Sequence, residues 1–307
     1  MKNNLILSIS KNNNVLKWVL LLLSGFIWGS SFILMKKGLQ AFSSPQVASL
    51  RIFITFVIFM PFFYSFLKKI NFKDFIFITL VGLFGNGIPY YLFTYAQQHI
   101  NSSTAGILNS LTPIATMIFA IIIFKFKIKI YNIIGLFIGL IGAFIIIKSG
   151  NSDFSFQGNI YGIFIILATF CYGLSTNIAR YKLMNVNSVV TTGLVFFLMG
   201  PIAGIHLYST NIVDTIQSSE IAQEAFGYML ILSVFGTALS LIFYYYLVKI
   251  SSSIFASTVT YIIPVFAIIW GVLDGEKLTF YHIIGIVVIF CGVILVNYRK
   301  KPQENIS

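Results

Sequence analysis

Apolar runs of about 20 residues recur along this chain, separated by short loops, and each is long enough to cross a hydrocarbon core of about 30 Å as a helix. Ten such windows are readable, near 18–37, 46–67, 74–97, 102–124, 131–149, 158–180, 188–208, 226–248, 253–273 and 279–298. Lipid offers no partner to a backbone amide, so segments of this length and composition must satisfy their own hydrogen bonds, as helices do. With 58% hydrophobic and 9% charged residues, the 307-residue chain leaves no room for a soluble domain, and any function must reside within the bilayer. The first run follows Lys11 and Lys17 as a signal peptide would, but it is too long, lacks a small-residue cleavage site and is followed by nine more, so it reads as a retained helix.

A net charge of +12 on a soluble chain would suggest nucleic acid. Here the placement of the charges gives a better account. With a cytoplasmic N-terminus, fifteen of the twenty Lys and Arg fall on the inner side and four (Lys36, Lys37, Lys148, Lys277) on the outer, while Arg51 lies inside a span. That bias predicts that both termini are cytoplasmic.

The chain also repeats itself. A shift of 151 residues sets Phe84-Gly85 on Phe235-Gly236, Tyr95 on Tyr246, Ala105 on Ala256 and Pro113 on Pro264; a shift of 150 sets Gly135 on Gly285 and Gly142 on Gly292. At 144, Trp28 meets Tyr172, Gly29 meets Gly173, Ser31 meets Ser175 and Lys36 meets Arg180. The reading is an all-α polytopic membrane protein of ten transmembrane helices in two five-helix halves, residues 1–150 and 151–307. Five is odd, so the second half enters from the opposite side and the repeats are inverted, an architecture found mostly in transporters.

The residues "WGSSFILMKKGL", "PQVASLRIF", "LTPIATMIFA" and "DGEKLTFYHIIGIVVIFCGV" resemble the drug/metabolite transporter superfamily, and within it the EamA-type permeases. The resemblance covers nearly the whole chain and makes each half an EamA-like repeat. It implies a secondary permease or exporter of a bacterial cytoplasmic (inner) membrane, moving small metabolites without a cofactor, as a monomer or homodimer. Gly275 and Glu276 keep the Gly-Glu pair that follows the fourth helix of each repeat in the family. The first half has "FKFKIKI" there, so any role of that acid falls to Glu276 alone.

Polar side chains are costly against lipid and point toward a partner helix or a wet cavity. Stripes at helical spacing place Asn86 and Tyr90 on one face of the third span, Asn109 and Thr112 on one of the fourth, Ser240 and Tyr244 on one of the eighth, and Thr260 and Tyr261 on the ninth. Trp28, Ser31, Tyr172, Ser175 and Asn177 complete the expected substrate cavity. A single Ser or Thr more often bonds its own preceding turn or a neighbouring helix, at about 0.6 kcal/mol. Asn86, Asn109 and Asn177 lean toward the cavity, because an amide is harder to satisfy within its own helix. Pro113 and Pro264 each free a carbonyl and suit a helix that bends during gating. Gly135, Gly139 and Gly142 look like close helix packing or an oligomer face.

Arg51 would lie about 9 Å inside the second span at 1.5 Å per residue. A cation at that depth needs a partner. Either it binds a substrate carboxylate, or it holds a gate shut through carbonyls or acids such as Glu276 and Asp274, the reading favoured here. No Asp or Glu occupies the middle of a span, which argues against carboxylate-relayed ion coupling. His99, His206 and His282 lie near span ends and read as surface residues. Cys171 and Cys291 have no metal-type spacing. No H-E-x-x-H, G-x-S-x-G or paired intramembrane carboxylates point to an enzyme. Phosphate ligands call for several cations, so one Arg amid Tyr, Trp, Asn, Thr and Ser suits amino acids or related zwitterions best. Organophosphate, nucleotide-type or S-adenosylmethionine exchange is the alternative, and lipid scrambling a further one.

Overall fold

The computed structural model describes residues 2–99, 102–149, 160–273 and 279–297, and every regular element among them is helical. Six helices are long and apolar enough to span a membrane. They are α1 (Lys2–Gly38, its apolar part Val15–Gly38), α2 (Ser44–Leu67), α3 (Phe72–Gln97), α7 (Gly162–Lys182), α8 (Ser188–Ser209) and α10 (Glu220–Ile250). Between them lie α4 (Ser102–Asn109), α5 (Thr112–Ile122), α6 (Ile130–Ser149) and α9 (Ile212–Gln217), and after them α11 (Ser253–Ser257), α12 (Val259–Leu273) and α13 (Phe280–Val296). The chain is a polytopic helical membrane protein.

The loops set where helices begin. Ser43 and Asn71 open α2 and α3 with capping boxes closed by Gln46 and Asp74, and Asn187, Ser219 and Ser252 accept from the first turns of α8, α10 and α11. Two windows expected as single spans are each broken. The fourth divides at Ser110–Leu111 into α4 and α5, and the ninth at Thr258 into α11 and α12. Pro113 sits in the first turn of α5, where a missing N–H costs nothing, and the Thr112 hydroxyl takes the Asn109 carbonyl at 2.7 Å. Pro264 instead lies inside α12 and removes the amide that the carbonyl of Thr260 would otherwise receive.

Packing is pairwise and reciprocal. The most extensive pair is α6 with α13, followed by α2 with α8; α1 packs on α10 and α12, while α7 packs on α3 and α5. The glycines of α6 serve the first pair. A Cβ on Gly135 would meet the Val296 amide at 2.7 Å, and one on Gly142 the Ile289 amide at 2.7 Å. Small residues here let two backbones touch, the main source of helix association in lipid.

Gly292→Leu is expected to destabilise the fold by about 1–3 kcal/mol through overpacking against α6, since its Cβ would press on the backbone of Gly135 and Gly139. Gly227→Ala, with nothing within 4 Å of the new Cβ, should be neutral or slightly stabilising. Thermal unfolding of the two variants in detergent checks the contrast.

Candidate functional site

Two helices lose their regular hydrogen-bond ladder midway, and the site is built around them. α3 passes through a π-helical turn at Leu83–Gly87 and α10 through another at Val234–Leu239. In α3 the cause is Pro89, which cannot donate to the carbonyl of Gly85, and the Ile88 amide reaches five residues back to Leu83. In α10 no proline intervenes. The Ser240 amide bonds to Phe235 and Thr237 instead of Gly236, and the released Gly236 oxygen accepts from Ser240 Oγ at 2.7 Å, Arg51 Nη2 at 3.1 Å and Trp28 Nε1 at 3.2 Å.

Arg51 therefore finds neutral partners. Its Nε donates to Thr237 Oγ1 at 2.6 Å, and its guanidinium carbon lies 4.1 Å from the centroid of the Tyr90 ring. Among the described residues no carboxylate pairs with it. The acids expected to do so, Glu276 and Asp274, lie outside the described residues.

Arg51 lines a cavity of about 130 Å³ enclosed by residues of α1, α2, α3, α4, α5, α7, α10 and α12. Its aromatic wall holds Trp28, Tyr90, Tyr172, Tyr244 and Tyr245; its polar wall holds Ser31, Asn86, Thr94, Asn109, Thr112, Ser175, Thr176 and Thr260. Among the described lining residues Arg51 alone is charged. The lining runs from mid-bundle toward Met35, Val47 and Phe93, near the end of α1, the start of α2 and the end of α3.

Most wall groups are already engaged. Tyr90 donates to Asn86 Oδ1 at 2.9 Å, and Asn86 Nδ2 reaches the Tyr245 hydroxyl at 3.4 Å. The Tyr244 hydroxyl lies 2.8 Å from Thr176 Oγ1, and Trp28 Nε1 donates to Ser240 Oγ at 2.9 Å. Asn109 differs. It is 7% exposed, its Oδ1 receives a long 3.4 Å bond from Thr112, and its amide hydrogens have no acceptor among the described residues. The Tyr172 hydroxyl is equally unbonded there. Two donors and a cation thus face one small volume.

Ten of the thirteen residues expected at the cavity line it: Trp28, Ser31, Asn86, Tyr90, Asn109, Thr112, Tyr172, Ser175, Tyr244 and Thr260. The other three are placed elsewhere. Ser240 sits behind Trp28 and orients its indole. Tyr261 is fully buried, donates to the Leu136 carbonyl at 2.9 Å and presses on Gly139. Asn177 is spent on structure. Its Nδ2 donates to the carbonyls of Thr116 and Gly173, both at 2.8 Å, and its Oδ1 accepts from Ser253 at 2.9 Å. With Arg180, which donates to the carbonyl of Val248 at 3.1 Å and to that of Lys249, it ties α7 to α5, α11 and the last turn of α10. These bonds close the bundle at the end opposite the cavity's extension.

Sequence reasoning passed over Tyr245 and the Gly236 carbonyl; the register that pairs Gly85 with Gly236 was the available signal for the latter. The reading of the histidines as surface groups is corrected at two positions. His206 Nδ1 lies 2.9 Å from the hydroxyl of fully buried Ser49, and His282 is buried in the capping box opened by Thr279.

Asn177→Leu removes three bonds from a buried polar cluster and should cost about 1–3 kcal/mol. Asn109→Leu, also buried but donating to no acceptor among the described residues and accepting only one long bond, should cost about 1 kcal/mol or less. Unfolding midpoints in one detergent compare them, and equal losses would refute the assignment of Asn177 to structure and Asn109 to the cavity.

Known proteins share this sequence and fold. The sequence profile described as the EamA-like transporter family matches residues 16–148 and 159–298. A protein of Archaeoglobus fulgidus described as an uncharacterized transporter is 26% identical over 93% of this chain and 99% of its own length. The uncharacterized inner membrane transporter YedA of Escherichia coli K12 is 25% identical over 89% of this chain and 88% of its own. One solved crystal structure superposes with a TM-score of 0.71 over 93% of this chain and 96% of its own, at 13% identity, a likeness of fold alone.

Proposed function

The chain belongs to the EamA-like transporter family, and on that premise we propose that it is a secondary permease of the inner membrane that moves amino acids or related zwitterionic metabolites by alternating access. The observation that carries the substrate class is the cavity's charge: among the described residues, one guanidinium, held by neutral partners, beside aromatic faces and unbonded donors. Thr237 and the Gly236 carbonyl hold Arg51 through single hydrogen bonds, and a carboxylate offers it a bidentate, charge-assisted pair instead. An ammonium group finds the faces of Trp28, Tyr172 and Tyr244 and the Thr260 carbonyl that Pro264 leaves without its amide partner. Asn109 and Tyr172 donate to the remaining acceptors. A phosphate ester would meet one cation where several are the rule.

Arg51 thereby combines the two roles its sequence left open. Empty, it clamps α2 to the π turn of α10; loaded, it turns to the substrate and loosens that clamp. This is a substrate-dependent bias between two conformations, which is what alternating access requires.

Ten spans in two inverted halves with cytoplasmic termini frame the mechanism. Three features support that reading: the two π turns lie 151 residues apart, the helix contacts are reciprocal, and Ser31 meets Gly236 as Ser175 meets Gly85. The cavity then extends to the outer face, and the cluster of Asn177 and Arg180 seals the cytoplasmic one.

Counterflow tests the proposal: purified protein in liposomes preloaded with one amino acid, and uptake of trace label read with and without a proton gradient. Exchange without an imposed gradient is expected. Arg51→Met should weaken apparent affinity about 10- to 100-fold, the loss of a charged hydrogen-bond partner, with Arg51→Lys intermediate. Exchange of a sugar phosphate or nucleotide in place of amino acids would overturn the substrate class.

A further inference from the structure

The seal at the cytoplasmic end has a counterpart that the present conformation leaves open. Arg180, at the C-terminal end of α7, donates to the carbonyls of Val248 and Lys249, which close α10. A cation on the last carbonyls of a helix satisfies oxygens that have no amide and opposes the negative end of the helix dipole. Register 144 carries Arg180 back to Lys36, and register 151 carries Val248 and Lys249 back to Gln97 and Gln98. Both registers are marked by contacts in the structure, since the first pairs Ser31 with Ser175, the second pairs Gly85 with Gly236, and each serine rests on the opposite half's glycine.

The first-half set stands apart in this conformation. Lys36, on the last turn of α1, is exposed, and Gln98, just past α3, is exposed as well. Next to Gln98 in the chain, the side-chain oxygen of Gln97 is buried and has no hydrogen-bond partner among the described residues, an acceptor awaiting a donor. An unsatisfied buried oxygen is costly, and it lies where the repeat would bring an ammonium group.

We propose that Lys36 is the latch of the outer gate, closing on the carbonyls of Gln97 and Gln98 and on the Gln97 side chain when the cavity turns to the cytoplasm. This rests on the inverted-repeat reading above and names the contact that completes it. Lysine suits three acceptors clustered about a helix end, because its ammonium carries three donors on a flexible stem.

The test is a cysteine pair, Lys36→Cys with Gln98→Cys, in a background in which the free thiols Cys171 and Cys291 are replaced by alanine. A short bis-methanethiosulfonate reagent, which spans the reach of a lysine side chain as a direct disulfide does not, should link the pair in liposomes, seen as a mobility shift abolished by reductant, and the link should stop exchange. Adding Asn177→Leu, which weakens the opposite seal, should make the pair link about tenfold faster, as a shifted population requires. In single variants, Lys36→Met should slow exchange and keep a cavity cysteine at Thr94 open to external reagent, whereas Lys36→Arg should restore both. The mobility shift does not depend on transport, so it judges the latch even if the substrate reading fails. A pair that never links, with or without Asn177→Leu, or one that links while exchange continues, overturns the proposal and leaves the permease reading standing.

Discussion

A carbonyl that loses its helical amide inside a bilayer has no water to turn to, and the Gly236 oxygen is the point where this protein turns that constraint into a site. The π turn of α10 releases it, and three donors from three places along the chain converge on it: Ser240, Trp28 and Arg51. The indole is thereby fixed as a wall of the cavity. Among the described residues the guanidinium is held at depth by neutral partners, whereas a carboxylate would have neutralised it and removed the cavity's charge. Burying a cation beside neutral dipoles is poor economy for folding alone. It makes sense where a ligand is to supply the missing anion.

The two halves share a frame and differ in chemistry. α2 and α8 start 144 residues apart, at Ser44 and Ser188, so the second-half position of Arg51 is Val195, which packs its backbone against Gly82. Thr237 likewise corresponds to Asn86, whose amide serves Tyr90 and Tyr245 rather than a charge. In the proposed inverted repeat the frame supplies two near-equivalent packings, and departure from it places the one cation among the described lining residues on one side of the cavity. In the proposed permease this gives a bound solute a defined orientation.

Helix existence was legible in the sequence because length and apolarity decide it in lipid, and the cavity's polar stripes were legible because hydroxyls and amides are expensive there. Helix continuity was less so. The breaks at Ser110–Leu111 and Thr258 fall within apolar windows, and only the first has a proline beside it. Asn177 and Asn109 present the same side chain on the same kind of face, yet one is consumed by two carbonyls and a serine and the other has donors without an acceptor among the described residues. Which of the two occurs depends on which helix ends come together in space. The π turn of α3 announces itself through Pro89, while that of α10 has no such mark and is found by its register with the first.

The same asymmetry extends to how the site is closed. Subtracting 144 from Asn177 gives Ile33, an exposed apolar residue, so the amide that binds α7 to α5 and α11 has no polar equivalent on α1. In the proposed topology the cytoplasmic seal therefore carries hydrogen bonds that the outer seal must do without. Each is worth of order 1 kcal/mol, and conformations separated by a few such bonds are populated unequally when the cavity is empty. In the proposed mechanism this is why the empty protein rests with its outer side open, and a substrate that draws Arg51 off the Gly236 carbonyl removes one of the contacts holding α2 to α10 in that state. Under that proposal substrate and seal act on the same equilibrium through separate bonds, a route by which a cavity without an intramembrane acid among its described residues couples occupancy to gating.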